Sequence, residues 1–175
     1  HRQEIIVDKS LLIEDIIKRL QQQRQSAIAA ADVAKETATH TENIAENRYD
    51  TLGLEASYLA HGQSLRTQAI ETSIESFKTL GKSLSNDLLN SLSSNLDIRP
   101  SSVAQVGSLI ELEDPAEQRR WYFLAMTSGG LTIHSQGKDI FVLTPQAPMG
   151  AALMGKEVGD DISLNGNVSE VMNLL

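Results

Sequence analysis

The stretch that decides the N-terminal fold covers residues 10–35 and reads SLLIEDIIKRLQQQRQSAIAAADVAK. It contains neither Gly nor Pro, and its apolar residues recur at alternating steps of about four and three. These residues are Ile13, Ile17, Leu20, Ala27, Ala31 and Ala34. The spacing predicts one helix with a single apolar seam, and Ser10 is its predicted N-cap.

A second apolar seam follows further along the chain. Its members are Leu52, Ala56, Leu59, Ile70, Phe77 and Leu84. Gln63 and Arg66 interrupt this seam, so the second helix is predicted to be less regular. Residues 37–47, between the two seams, are rich in Thr and Asn, which favour caps and turns. We therefore predict an antiparallel helical hairpin over residues 1–82 with its tip in that segment.

The apolar period changes from helical to alternating after Arg99-Pro100, which predicts a domain border there. Residues 83–102 are interpreted as a helix extension and linker, and residues 103–175 as a C-terminal domain. Its predicted strands are 106–112, 121–126, 131–134, 140–144, 161–164 and 168–172. A short apolar stretch, 149–154, predicts one small helix. The expected fold class is α+β, with an antiparallel sheet following the hairpin.

The composition and net charge exclude several classes of protein. The net charge of -8 argues against a protein that coats nucleic acid, because neutralising phosphates needs clustered Lys and Arg. Contact with DNA or RNA should therefore be indirect. The absence of cysteine excludes disulfides and thiolate metal sites. No apolar run approaches the roughly 20 residues that span a bilayer, so we expect a cytoplasmic protein without membrane contact.

Residues 147–160 read APMGAALMGKEVGD. They resemble the signature Ser-Pro-x-x-x-Ala-Leu-x-Gly-Lys-x-x-Gly-Asp in the C-terminal domain of Gre-type (GreA/GreB-like) bacterial transcription elongation factors, with Ala147 in place of Ser. Residues 106–113 resemble the opening strand of that domain. The resemblance implies an FKBP-like domain that docks at the rim of the RNA polymerase secondary channel. It also implies a hairpin that points down the channel.

Three polymerase-binding residues follow from the resemblance. In the family, polar side chains just before the signature, together with its proline, face the polymerase rim. The corresponding positions here are Thr144, Gln146 and Pro148. The alternative is that this segment only forms a rigid strand-to-helix loop, with Pro145 and Pro148 fixing its backbone.

The family's hairpin tip reads Asp-x-x-Glu-Asn and lends carboxylates to a second metal ion at the polymerase active site. Residues 43–47 are the counterpart, but Asn43 replaces the Asp, and a neutral amide is not an anionic ligand. The resemblance implies Glu46 as a tip acid that shares the polymerase magnesium. Asp50 lies four residues later and would share its helical face, with Glu42 in reserve. The alternative is a solvated loop whose acids keep it soluble.

These expectations combine into a monomeric regulator of transcription elongation that binds RNA polymerase through the secondary channel, with no catalysis and no cofactor of its own. Two versions stay open: stimulation of cleavage of backtracked RNA, or occupation of the channel without cleavage. A coiled-coil adaptor protein is the rival from another class. A prolyl isomerase is suggested only by the fold. Residues 150–156 match the start of a Walker A loop, but Glu157 stands where Ser or Thr should bind magnesium.

Overall fold

The computed structural model describes residues 7–42, 51–94 and 102–175. Its elements, in chain order, are α1 (Lys9–Glu42), α2 (Leu52–Ser94), β1 (Leu109–Glu113), β2 (Arg119–Leu124), β3 (Thr132–Ser135), β4 (Lys138–Leu143), α3 (Pro148–Leu153), β5 (Asp161–Leu164) and β6 (Asn167–Leu174). The predicted class, two long helices followed by a sheet with one short helix, is confirmed. No helix among the described residues is long and apolar enough to cross a membrane.

The chain divides into two compact units. The hairpin unit is Ile17–Glu75, and the sheet unit combines His1–Ile16 with Ser76–Leu175. The first eight residues of α1 and the last 19 of the 43 residues of α2 therefore group with the sheet. The domain borders drawn from sequence at residues 82 and 102 remain a prediction.

Helix α1 is capped by Asp8, so the prediction that Ser10 is the N-cap is wrong. The Asp8 carboxylate accepts hydrogen bonds from the backbone N–H groups of Ser10, at 2.8 Å, and Leu11, at 3.4 Å. These donors have no partner inside the helix, and a negative charge is favoured at this end. Ser10 therefore lies within the first turn.

Helix α1 also ends later than the composition of residues 37–47 predicts. The hydroxyl of Thr37 donates to the carbonyl of Val33 at 3.0 Å, and that of Thr39 donates to the carbonyl of Lys35 at 2.9 Å. A threonine that hydrogen-bonds back along the helix in this way does not end it. Helix α1 therefore continues to Glu42, and residues 43–47 of the predicted tip fall outside the described ranges.

Part of the seam of the hairpin unit recurs every seven residues. Its members are Leu20, Ala27 and Ala34 on α1, and Ala56, Gln63 and Ile70 on α2. Gln63 therefore occupies a seam position rather than interrupting the period. Leu59 was predicted to lie in the seam, but it is out of step with this period and its side chain is 56% exposed. The small alanines let the two arms approach closely.

The sheet unit contains six strands in the order β3-β4-β2-β1-β6-β5. All neighbours are antiparallel except β2 and β4, which are parallel. The expectation of a wholly antiparallel sheet is therefore wrong at one pair. The chain first places β3 at the edge, and the β3–β4 hairpin then returns β4 beside β2 in the same direction as β2.

One face of the sheet carries an apolar cluster that includes α3. Its buried members are Ala104, Ile110, Leu112, Leu124, Leu153, Ile162 and Val171, and Leu153 belongs to α3. Burying a leucine side chain such as that of Leu153 contributes about 1.5–3 kcal/mol to the free energy of unfolding. This face therefore fixes α3 on the sheet.

A buried carboxylate lies on β1. The Glu111 side chain is 2% exposed and accepts a hydrogen bond from the amide of Asn173. Arg119 approaches it to 3.7 Å and also donates to Glu113 at 2.7 Å. The hydrogen bond with Glu113 and the charges of both acids raise the pKa of Arg119. Glu111 therefore has both a hydrogen-bond donor and a counter-charge.

Within the sheet unit, the start of α1 is held by polar contacts. Asp8 and the side chain of Gln136 exchange two hydrogen bonds of 2.9 Å, and Ser135 donates to the carboxylate of Asp15 at 2.7 Å. The ammonium group of Lys9 donates to the carbonyl of Gly107 at 3.1 Å, and burial lowers the pKa of this lysine. These bonds fix the first turns of α1 to the β3–β4 turn and to the segment before β1.

Candidate functional site

The candidate site lies at the edge where the parallel strands β2 and β4 both end. The backbone N–H of Ala125, after β2, donates to the carbonyl of Leu143, the last residue of β4, at 2.8 Å. Met126 and Thr144 come next in their segments. They are therefore neighbours at the same sheet edge, because parallel strands bring their carboxyl ends together.

The loop from β4 to α3 folds back tightly. Ala147 donates its backbone N–H to the carbonyl of Thr144 at 3.0 Å, and α3 begins at Pro148. Proline is well suited to the first helical position, where no backbone N–H is required. A Cβ atom at Gly150 would lie 1.9 Å from the carbonyl oxygen of Thr144. Only glycine therefore permits this path.

The three residues predicted to bind a partner all lie on or beside this loop. Gln146 and Pro148 are exposed, and Thr144 is half-buried. A Cβ atom at Gly129 would approach the methyl group of Thr144 to 3.2 Å, so Thr144 is closely covered on that side. The loop is well ordered by its own contacts, as the rigid-loop interpretation requires. Its two exposed side chains leave the binding role open as a prediction.

The later part of the signature, residues 155–160, stabilises the fold through hydrogen bonds. Ala104 exchanges two backbone hydrogen bonds of 2.7 Å with Gly155 and Lys156, which ties the start of the sheet domain to the end of α3. The Asp160 carboxylate accepts the backbone N–H of Glu157 at 2.8 Å and closes the turn before β5. The Gly-Lys pair therefore lies in a structural turn, which agrees with setting the Walker A match aside.

Sequence reasoning missed three exposed apolar residues in the segments after β2 and after α3. Met126, Met154 and Val158 are 60%, 39% and 56% exposed. Met126 was assigned to a predicted strand, 121–126, whereas β2 ends at Leu124. The Thr-Ser-Gly-Gly run that follows it is the signal of an earlier strand end. Methionine is a flexible side chain that suits adaptable contact surfaces.

A cavity of about 400 Å³ opens between α3 and the sheet. Its apolar wall includes Met149, Tyr122 and Ile162, and Arg120 and Asn165 add polar groups. Met149 directly follows Pro148, so the cavity adjoins the loop. Tyr122 is the one aromatic residue among its described lining, which is little for a proline-binding pocket of an isomerase.

The predicted tip acids cannot be placed. Glu46 and Asp50 lie outside the described residues, as does Asn43, and Glu42 is the last residue of α1. Within residues 7–42, 51–94 and 102–175, no group of three or more His, Asp or Glu residues could hold a metal ion. The metal role of the tip therefore stays a prediction.

A curated protein is similar to this chain over most of its length. The transcription inhibitor protein Gfh1 of Thermus aquaticus is 29% identical over 152 residues, which cover 87% of this chain and 82% of the relative. No family model matches the chain. This similarity covers most of the chain, and together with the signature at residues 147–160 it supports the resemblance to Gre-type factors.

Two solved structures that are similar to this chain are also of Gfh1 proteins. The crystal structure of GreA factor homolog 1 (Gfh1) of Thermus thermophilus is 23% identical and covers 91% of this chain and 94% of its own, with a TM-score of 0.34. That of Thermus aquaticus Gfh1 is 25% identical and covers 96% of both chains, also with a TM-score of 0.34.

The role of Gly150 can be tested by stability. Gly150→Ala should lower the free energy of unfolding by about 1–3 kcal/mol. The new methyl group would overlap the carbonyl oxygen of Thr144, and this oxygen can move only if the whole loop moves. Gly62→Ala is the control, since position 62 lies in α2 with nothing within 4 Å of its Cβ. It should raise stability by up to about 1 kcal/mol. Equal effects of the two changes in urea denaturation would contradict the assigned loop geometry.

Proposed function

We propose that the chain binds bacterial RNA polymerase in the cytoplasm and regulates elongation through the secondary channel, with no catalysis of its own. The observation that carries the proposal is the loop at residues 144–148, which is fixed by Gly150 and presents Gln146 and Pro148 to solvent. The relative's name, a transcription inhibitor, supports the same class of function.

The loop is suited to docking because its backbone is already ordered. A preorganised loop loses little conformational entropy on binding, so more of the contact energy appears as affinity. Gln146 supplies hydrogen-bonding groups, and Met126 at the same sheet edge supplies exposed apolar surface. The adjoining cavity gives a partner's apolar side chain a place to enter.

The hairpin is suited to a channel because it is long and narrow. Residues 17–42 of α1 belong to the hairpin unit, and these 26 residues correspond to a length of about 40 Å. Ala27, Ala34 and Ala56 in the seam keep the arms close together. These seam residues are buried within one chain, so the hairpin needs no second copy to cover them, which supports a monomer over a coiled-coil adaptor.

Binding to core polymerase is the first test. Gln146→Ala and Pro148→Ala should each weaken the complex by about fivefold or more, since truncating an important interface residue costs above about 1 kcal/mol. Gln105→Ala is the matched control, because Gln105 is also exposed on the sheet unit but lies away from the loop in sequence. Fluorescence anisotropy of labelled protein would measure the affinities. The proposal fails if no complex forms at micromolar concentration, and the choice of loop fails if all three variants bind equally.

Of the two versions of this function, we propose the one without transcript cleavage. Asn43 stands where the family pattern has an aspartate, and its neutral amide is a poor ligand for the polymerase magnesium. The rival version relies on Glu46 and Asp50 to share that metal ion. In both, the metal belongs to the polymerase.

A cleavage assay on backtracked elongation complexes separates the versions. Wild-type protein is expected to leave the rate of RNA cleavage unchanged while still binding the polymerase. Glu46→Gln and Asp50→Asn should then behave like wild type. Stimulation by the wild type that either substitution abolishes would select the cleavage version instead.

A further inference from the structure

A second cavity, of about 350 Å³, lies entirely within the hairpin unit. Both arms line it: Arg19 and Gln23 come from α1, and Gln63 and Arg66 come from α2. Its floor contains small residues such as Ala27, which leave room between the arms. No aspartate or glutamate lines it. We call it the arginine groove.

The two arginines of this groove are not held in ion pairs with the described residues, and Asp15, the acid four residues before Arg19, accepts a hydrogen bond from Ser135. Neither Arg19 nor Arg66 forms an ion pair with any residue in the described ranges, whereas the nearby Arg24 pairs with Glu71 at 2.6 Å. The residues three and four positions from Arg66 along α2 are all uncharged. In a chain with a net charge of -8, two such cations at one cavity create a local positive potential.

Gln63 adds an unsatisfied polar group to the groove. Its side-chain oxygen is buried and has no hydrogen-bond partner among the described residues. Burying such an acceptor is unfavourable, and an apolar residue at this seam position would avoid the cost. Gln63 also lines the groove, so the NH₂ group of its amide can donate to a ligand there.

We propose that the arginine groove binds a phosphate monoester, such as the terminal phosphate of a nucleotide. Guanidinium groups bind phosphate oxygens in pairs of parallel hydrogen bonds. Two arginines match the charge of about −1.5 to −2 that a phosphate monoester carries at neutral pH. The Gln63 amide supplies a third donor. This site is separate from the loop proposed to dock on the polymerase.

Calorimetric titration of the full chain with adenosine monophosphate at low ionic strength tests the site. The wild type should bind it saturably, and adenosine, which lacks the phosphate, should not bind. Arg19→Gln and Arg66→Gln should each weaken binding by about tenfold or more. Arg24→Gln, which removes the same charge from the same hairpin, should change the affinity by less than about twofold.

Gln63→Leu separates a ligand-binding role from a structural one. The substitution should raise stability against urea and at the same time weaken adenosine monophosphate binding. Gln68→Leu, at an exposed position of α2, should change neither property. The proposal is overturned if no saturable binding is seen, if Arg24→Gln weakens binding as much as the groove variants, or if adenosine binds as tightly as its monophosphate.

Discussion

The carbonyl oxygen of Thr144 occupies the space where a side chain at position 150 would begin, 1.9 Å from the ideal Cβ position. This close approach lets the chain leave β4, reverse direction and start α3 at Pro148. Helix α3 can then bury Leu153 in the core of the sheet. Two exposed side chains, Gln146 and Pro148, are held on the outside of the turn. The proposed docking loop therefore depends on one glycine.

The hairpin follows a different constraint, the seven-residue period shared by its two arms. Alanines at half of these positions bring the helices close together, and Gln63 is the polar exception. A seam of small side chains buries less apolar area than one of leucines, so it stabilises the hairpin less. Because the side chains of this seam are small, the hairpin is a narrow rod, and a narrow rod can enter a channel.

The sheet domain could be predicted well because its signals are local. Alternating apolar residues, Asn165-Gly166 and the signature each specify a short element, and the strands lie close to their predicted positions. The parallel pair of β2 and β4 could not be predicted, since pairing between distant strands leaves no local pattern. The cap at Asp8 and the helical Thr37 and Thr39 were missed because one hydrogen bond overrides weak propensities. For the site, Gln146 and Pro148 are exposed and their binding role stays a prediction, whereas Met126 looked like part of a strand.

The central claim is that the loop meets the polymerase at the channel rim while the hairpin reaches inwards. The chain contains no cysteine, so single cysteines can carry an iron chelate that cuts nearby protein and nucleic acid. His40, exposed near the end of α1, and Gln146, exposed on the loop, are suitable positions. The account predicts cuts close to the polymerase catalytic centre from position 40 and at the rim of the secondary channel from position 146. Cuts on the outer surface of the polymerase from both positions, or the reversed pattern, would contradict it.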